Sequence, residues 1–221
     1  AGLGKRMQPI TLTTPKPLIQ IGNKCLLERA IELLINHGVN QIAINVHHLP
    51  DKIENFINKK KYEAKITIFH EQGTLLDTGG GIFNATKSFK GPFIVVNPDT
   101  LWSKAYLSEL DDLEGLYFKN KKPCLLLVNK DLSFDNSFKG DFNLQDRLVS
   151  RDNNNKLIFT GLQILDHSDF SIVKSKIFSM NDIWNNLIDK NSLVGIESKQ
   201  KFYHLNTKEI YDKISSLNII D

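Results

Sequence analysis

Four short apolar runs, each coupled to a stretch of helical periodicity, limit what this chain can fold into. Phe93-Ile-Val-Val-Asn97 and Cys124-Leu-Leu-Leu-Val128 carry apolar side chains at successive positions, so both faces of each strand must be covered. Gln41-Ile-Ala-Ile-Asn-Val46 and Lys65-Ile-Thr-Ile-Phe69 read as two more strands. Leu27, Ala30, Ile31 and Leu34 recur at helical spacing over 24–36, and Gly38 stops that helix. Ile53, Phe56 and Ile57 mark a second helix over 51–60. Helices are also predicted over 78–87 and 103–120. This βαβα order predicts an α/β fold with a doubly wound, mostly parallel, Rossmann-like sheet and right-handed crossovers.

After residue 130 the pattern changes. Residues 142–150 alternate, 152–155 form a turn, and 157–165 alternate again, which predicts a hairpin. A helix over 181–189, a strand over 202–205 and a closing helix over 208–217 follow. The second half therefore reads as an antiparallel insertion beside the main sheet. With 221 residues, no repeats and no linker, the chain is expected to be one domain, 1–221, with halves at 1–130 and 131–221.

Composition removes several classes of function. The net charge is +3 and the lysines are scattered, as on a solvated surface rather than a nucleic-acid interface. No apolar run approaches the roughly 20 residues of a membrane helix. The first residues are glycine-rich and basic with no apolar core after them, unlike a signal peptide, so a cytoplasmic location is expected. Cys25 and Cys124 lie far apart among apolar residues, lack zinc spacing, and read as buried thiols.

Three stretches carry residues that can do chemistry. In AGLGKRM, Gly2 and Gly4 flank Leu3 and let backbone N–H groups approach an anion, and Arg6 adds a planar cation suited to phosphate. Lys16 stands between Pro15 and Pro17, on stiffened backbone. A lone GxG serves equally as a turn among surface lysines. In GTLLDTGGGI, Gly73 and the run Gly79-Gly80-Gly81 let a flat ligand such as a nucleobase lie against backbone, or else form a tight strand-to-helix crossover. In VVNPD, Asp99 follows the carboxyl end of a buried strand, where open α/β sheets bind ligands. A carboxylate there suits Mg²⁺ or caps the next helix. His47 and His48 read as structural or solvent-facing.

Together, in this order, AGLGKRM, TPKPL, DTGGGIF and VNPD resemble the sugar-1-phosphate nucleotidyltransferases. Lys139-Gly-Asp-Phe142 and Phe159-Thr-Gly-Leu-Gln163 are similar to that family's sugar-binding half, so the resemblance covers nearly the whole chain. The TGGGIF stretch, the GDF motif and the short length are most similar to the bacterial N-acetylmuramate-1-phosphate uridylyltransferases of peptidoglycan recycling. The resemblance implies the nucleotide-diphospho-sugar transferase fold, Mg²⁺ as cofactor, and a nucleoside triphosphate, UTP favoured, with a sugar 1-phosphate as substrates. It implies that Gly2 to Gly4 and Arg6 hold the β and γ phosphates. Lys16 would neutralise charge near the α-phosphate, and Gly73 with Gly79 to Gly81 would face the base. Asp99 would bind the metal, while Asn97, Asp141 and Gly161 would line the sugar site. The implied reaction is in-line attack by the sugar phosphate on the α-phosphorus, which needs positioning and charge neutralisation more than a covalent nucleophile.

Two departures from the family pattern stand out. The second metal-binding acid expected late in the chain is replaced in Phe202-Tyr-His-Leu-Asn-Thr207 by His204, which stands with Asp99 at the expected metal site, and imidazole suits softer metals than Mg²⁺. Either Asp99, phosphates and waters suffice with His204 touching substrate phosphate, or a metal such as Mn²⁺ is used, or catalysis is weakened or lost. The apolar strand that should deliver the chain to the glycine loop is also absent from this sequence, so a missing first strand is expected. A related enzyme using another base and sugar, such as guanine with mannose or a heptose, and a non-catalytic nucleotide-sugar-binding protein remain as alternatives. A Rossmann dehydrogenase does not fit. The GxG is followed by Lys5-Arg6, and the nearest downstream acid, Glu28, lies inside the first helix.

Overall fold

The computed structural model describes residues 2, 4–71 and 73–217. Helix α1 (Ile10–Thr13) and a small hairpin of β1 (Gln20–Ile21) and β2 (Lys24–Cys25) lead into α2 (Leu26–Asn36). The expected alternation follows: β3 (Gln41–Val46), α3 (Pro50–Lys59), β4 (Lys65–His70), α4 (Asp77–Ala85), β5 (Phe93–Val96), α5 (Leu107–Asn120) and β6 (Cys124–Asn129). The chain continues through β7 (Asn143–Gln145), β8 (Leu148–Ser150), β9 (Leu157–Leu165), α6 (Met180–Asp189), β10 (Val194–Ser198) and α7 (Lys208–Ser215).

The larger sheet has the order β5-β9-β6-β10-β8-β7. Strand β9 is antiparallel to both β5 and β6, and β10 is parallel to β6, so β5, β6 and β10 share one direction. Strands β3 and β4 form a separate parallel pair, with Gln41 opposite Lys65.

Alternate residues of β6 divide the core. Cys124 and Leu126 pack with Ala30 and Leu33 of α2 and Leu110 and Leu113 of α5. Leu125 and Leu127 pack with Ile183, Trp184 and Leu187 of α6, backed by Ile82 and Phe83 of α4. Helices therefore cover both faces, as the continuous apolar run of β6 demands. Each of these leucines, fully enclosed, contributes roughly 1.5–3 kcal/mol.

The second half differs from the sequence expectation in three places. Residues 142–150 are not one strand: Asp146 and Arg147 take φ of 50° and 69° and turn β7 back onto β8. Strand β9 pairs with β5 and β6 instead, and Phe142 meets Leu157 only at an isolated bridge. Residues 202–205 are not a strand either. Phe202 and His204 make single bridges to Ser133 and Thr100, and the strand in this region is β10.

Strand β3 pairs only with β4, and β5 only with β9, among the described residues. Both line one cleft of about 1180 Å³, walled by Leu27, Ala30, Ile31 and Leu34 of α2 and by Ile82 and Ala85 of α4. Gly2 and Gly4 line it too, with His47, His48, Asn97 and Asp99, which follow the carboxyl ends of β3 and β5.

Candidate active site

The glycine loop is held by its own side chains. Gly4 is left-handed, with φ of 61°, and its carbonyl accepts from Thr11 Oγ1 at 2.9 Å. A Cβ on Gly4 would lie 2.9 Å from Thr11 Cγ2, so the turn and the contact both require glycine. Gly2 has no protein atom within 4 Å of where its Cβ would be. Lys5 and Arg6 are exposed and line the cleft. Leu3 lies outside the described residues.

Pro15 fixes the entry to the turn that carries Lys16, and Lys16 Nζ reaches Asp99 Oδ2 at 2.8 Å. Asp99 is anchored through its backbone, its carbonyl accepting from Leu205 N at 2.8 Å. His204 comes up on the same side, with Nε2 3.7 Å from Asp99 Oδ2. Its ring stacks on Phe202 and meets Phe138 edge-on, which fixes its direction. Burial by itself would raise the Asp99 carboxyl, but His204 and Lys16 outweigh burial and hold it at about 2. Burial lowers His204, Asp99 opposes this, and Lys16 and Arg6 reinforce it. The site thus favours an ionised Asp99 carboxylate, while burial works against a proton on the His204 imidazole.

Asn97 and Gly161 are held together. Asn97 N donates to Gly161 O at 2.8 Å, and a Cβ on Gly161 would meet Asn97 Cβ at 2.8 Å. Asp141 Oδ2 accepts from Phe159 N at 2.9 Å, and the Asp141 carbonyl accepts from Arg151 Nε at 3.1 Å. Burial raises the Asp141 carboxyl, while Phe159 N–H, Arg151 and His204 act against it. Asn97 lines the cleft with Asp99, whereas Asp141, Gly161 and His204 lie outside that lining.

The glycine run is packed against protein. Gly79, Gly80 and Gly81 are buried by protein. Their Cβ positions would fall 2.4 Å from the Phe178 ring, 2.3 Å from Lys176 O and 2.6 Å from Asn45 Nδ2. Segment 176–178 docks on the start of α4, where Phe178 O accepts from Gly79 N and Gly80 N. Gly73 is the open glycine, exposed at φ of 77° with no protein atom within 4 Å of a Cβ.

A sequence model of the nucleotidyl transferase family matches residues 1–116. The chain belongs to that family. This nucleotidyl transferase is 26% identical over 214 residues to the N-acetylmuramate alpha-1-phosphate uridylyltransferase of Caulobacter vibrioides, covering 93% of this chain and 88% of the relative. It is 32% identical over 215 residues to the bifunctional protein GlmU of Methanococcus vannielii, covering 89% of this chain and 48% of that one. Among solved structures, HddC from Yersinia pseudotuberculosis complexed with GMP-PN is similar, with a TM-score of 0.76 and 24% identity over 97% of this chain and 95% of that one. A UDP-glucose pyrophosphorylase complexed with UDP-glucose has a TM-score of 0.79 at 20% identity, covering 97% and 94%. The sugar-1-phosphate nucleotidyltransferase resemblance and its fold are borne out.

One residue of the nucleotidyl transferase site escaped the sequence reading. Asn206 lines the cleft with Asp99, donates from Nδ2 to Asp135 Oδ2 at 2.7 Å, and leaves its Oδ1 buried without a partner. Asp99 Oδ1 is likewise buried and unpartnered. Buried polar atoms left unpaired are costly, and such orphans mark where a ligand completes the structure. Two oxygens and an imidazole are donors of the kind a divalent cation would take, with phosphate and water supplying the rest. Asn206 stands two residues after His204, and an amide at that position carries no metal-site signal of its own.

Proposed function

We propose that this nucleotidyl transferase joins UTP to N-acetylmuramate 1-phosphate, releasing pyrophosphate. The observation that carries the reading is the near end-to-end match to the uridylyltransferase, over 93% of this chain and 88% of the relative. The mannose-1-phosphate guanyltransferase of Hypocrea jecorina matches at 36% identity, but over only 106 residues, 45% of this chain and 29% of that one. That shorter match speaks for shared nucleotide chemistry rather than for a shared sugar.

The residues divide the work. Backbone N–H groups at Gly2 and Gly4 with Arg6 hold the β and γ phosphates. Lys16, set on proline-stiffened backbone, offsets charge as the α-phosphorus is attacked in line by the sugar phosphate. Asn97, Asp141 and Gly161 orient the sugar, and Gly73 borders the base. Asp99, with Asn206 and His204 beside it, would hold a divalent cation, Mg²⁺ in the first instance. Such an ion supplies further neutralisation of phosphate charge. The setting is the cytoplasm.

The test is a pyrophosphate-release screen with Mg²⁺. It crosses UTP, GTP, CTP and ATP with the 1-phosphates of N-acetylmuramate, N-acetylglucosamine, glucose and mannose. Release confined to UTP with N-acetylmuramate 1-phosphate is expected. Preference for GTP with mannose 1-phosphate overturns the reading, and silence in every well moves it to a binding protein.

A further inference from the structure

Both histidines set aside in the sequence, His47 and His48, turn out to hold loops. They follow β3 directly and both line the cleft. His48 Nε2 lies 2.9 Å from Thr11 O, on α1, and the Thr11 hydroxyl in turn holds Gly4 of the glycine loop. His47 Nδ1 lies 2.9 Å from Glu71 O, at the start of the loop that carries Gly73. A carbonyl oxygen only accepts, so each ring nitrogen must carry the proton. His48 therefore carries a proton on Nε2 and His47 one on Nδ1.

A third residue of the same strand completes the arrangement. Asn45 Nδ2 donates to Glu71 Oε1 at 2.6 Å, and Leu76 N donates to Glu71 Oε2 at 3.1 Å. The buried Glu71 carboxylate thus ties Leu76 as well as its own backbone to β3. Glu71 N also donates to Val46 O at 2.8 Å. No substrate atom needs to touch these groups for them to matter. Phosphoryl-transfer geometry depends on where the phosphate and base subsites sit relative to one another.

We infer that the carboxyl end of β3 is a two-sided clamp: His48 positions the triphosphate loop and His47, with Asn45 and Glu71, positions the base loop. These are positioning residues. The inference rests on the nucleotide-binding part of the proposed function and goes beyond it by naming what sets the spacing of the two subsites. It also assigns the two histidines separable effects. Loss of the His48 bond should weaken every ligand that fills the phosphate loop, whatever its base. Loss of the His47 bond should weaken discrimination among bases and leave phosphate binding alone.

The experiment is calorimetric titration of the whole chain with inorganic pyrophosphate, UTP, CTP and GTP, for wild type and four variants. His48→Phe is expected to weaken pyrophosphate and all three triphosphates alike by about tenfold, the worth of one hydrogen bond. His47→Phe is expected to leave pyrophosphate within about twofold and to compress the spread among the triphosphates. Rescue separates positioning from general stability. The amide of His48→Gln reaches the Nε2 position and that of His47→Asn the Nδ1 position, so both should return binding to near wild type, with thermal melting run alongside. Parallel losses for pyrophosphate and base selectivity in both Phe variants overturn the clamp, as do unchanged affinities. Wild type that binds triphosphate but never releases pyrophosphate overturns the proposed activity and leaves the clamp standing. Wild type that binds no triphosphate overturns both.

Discussion

Lys16 Nζ and Asp99 Oδ2 meet at 2.8 Å across 83 positions of sequence, joining the turn after the glycine loop to the end of β5. The pair is largely enclosed, with side-chain exposures of 16% and 28%, and it leaves Asp99 Oδ1 facing no partner. One oxygen is thus held by a cation of the protein, and the other is buried without a protein partner.

Lys16→Met should keep the fold and lose turnover. Removing one preorganised group aimed at developing charge costs about 10²–10³ in kcat. Steady-state pyrophosphate release with saturating substrates measures it. A kcat within threefold of wild type would show that Lys16 only anchors Asp99.

His204→Asp should retain or raise turnover with Mg²⁺ and lower the relative benefit of Mn²⁺. A second carboxylate suits the harder ion, and imidazole the softer one. The ratio of Mg²⁺ to Mn²⁺ activity is the readout. An unchanged ratio with unchanged rate places residue 204 away from the metal.

Gly80→Ala should unfold the protein more easily rather than impair nucleotide contact directly. Its Cβ would fall 2.3 Å from Lys176 O, a backbone atom with little room to retreat. Overpacking of this kind costs typically 1–3 kcal/mol. Melting temperature should fall, and saturating UTP should not selectively restore it.

Asp169→Asn should stabilise the protein at pH 7–8 and change little near pH 4. Burial raises the Asp169 carboxyl from 3.8 to about 6, with Asp166 N–H opposing and the Asp166 charge adding to it. A raised acid favours the folded state while protonated, so that contribution is present below pH 4 and lost as pH rises through 6. The gain expected at pH 8 is on the order of 1–3 kcal/mol. Equal melting shifts at both pH values would contradict this.

The first half of the fold was legible because each strand there is a run of apolar residues. Strand β3 falls on the expected residues, Gln41–Val46, and β6 extends the expectation by one. The second half was harder because local sequence does not say which neighbour a strand takes. The β7–β8 turn uses Asp146 and Arg147 at positive φ, where glycine or asparagine would have given the usual signal. Val194–Ser198 is only five residues with Gly195 inside, so it carried little strand signal. In the cleft, Lys16 and Asp99 stand out in the sequence because charged groups at a sheet's carboxyl end are informative by type. Asn206 and the two histidines do not, because their meaning is a matter of which atom each ring or amide reaches. The glycine run was noticed correctly as costly, but the atoms that fill its space come from Phe178, Lys176 and Asn45.

The docking of segment 176–178 on the start of α4 has a consequence for how far the two halves of the chain can drift apart in sequence. Any side chain at 79, 80 or 81 would have to displace a phenyl ring, a backbone carbonyl or an amide. Helix α4 also walls the cleft through Ile82 and Ala85. A change in the length of chain between β9 and α6 would therefore be felt at the cleft, although none of those residues lines it.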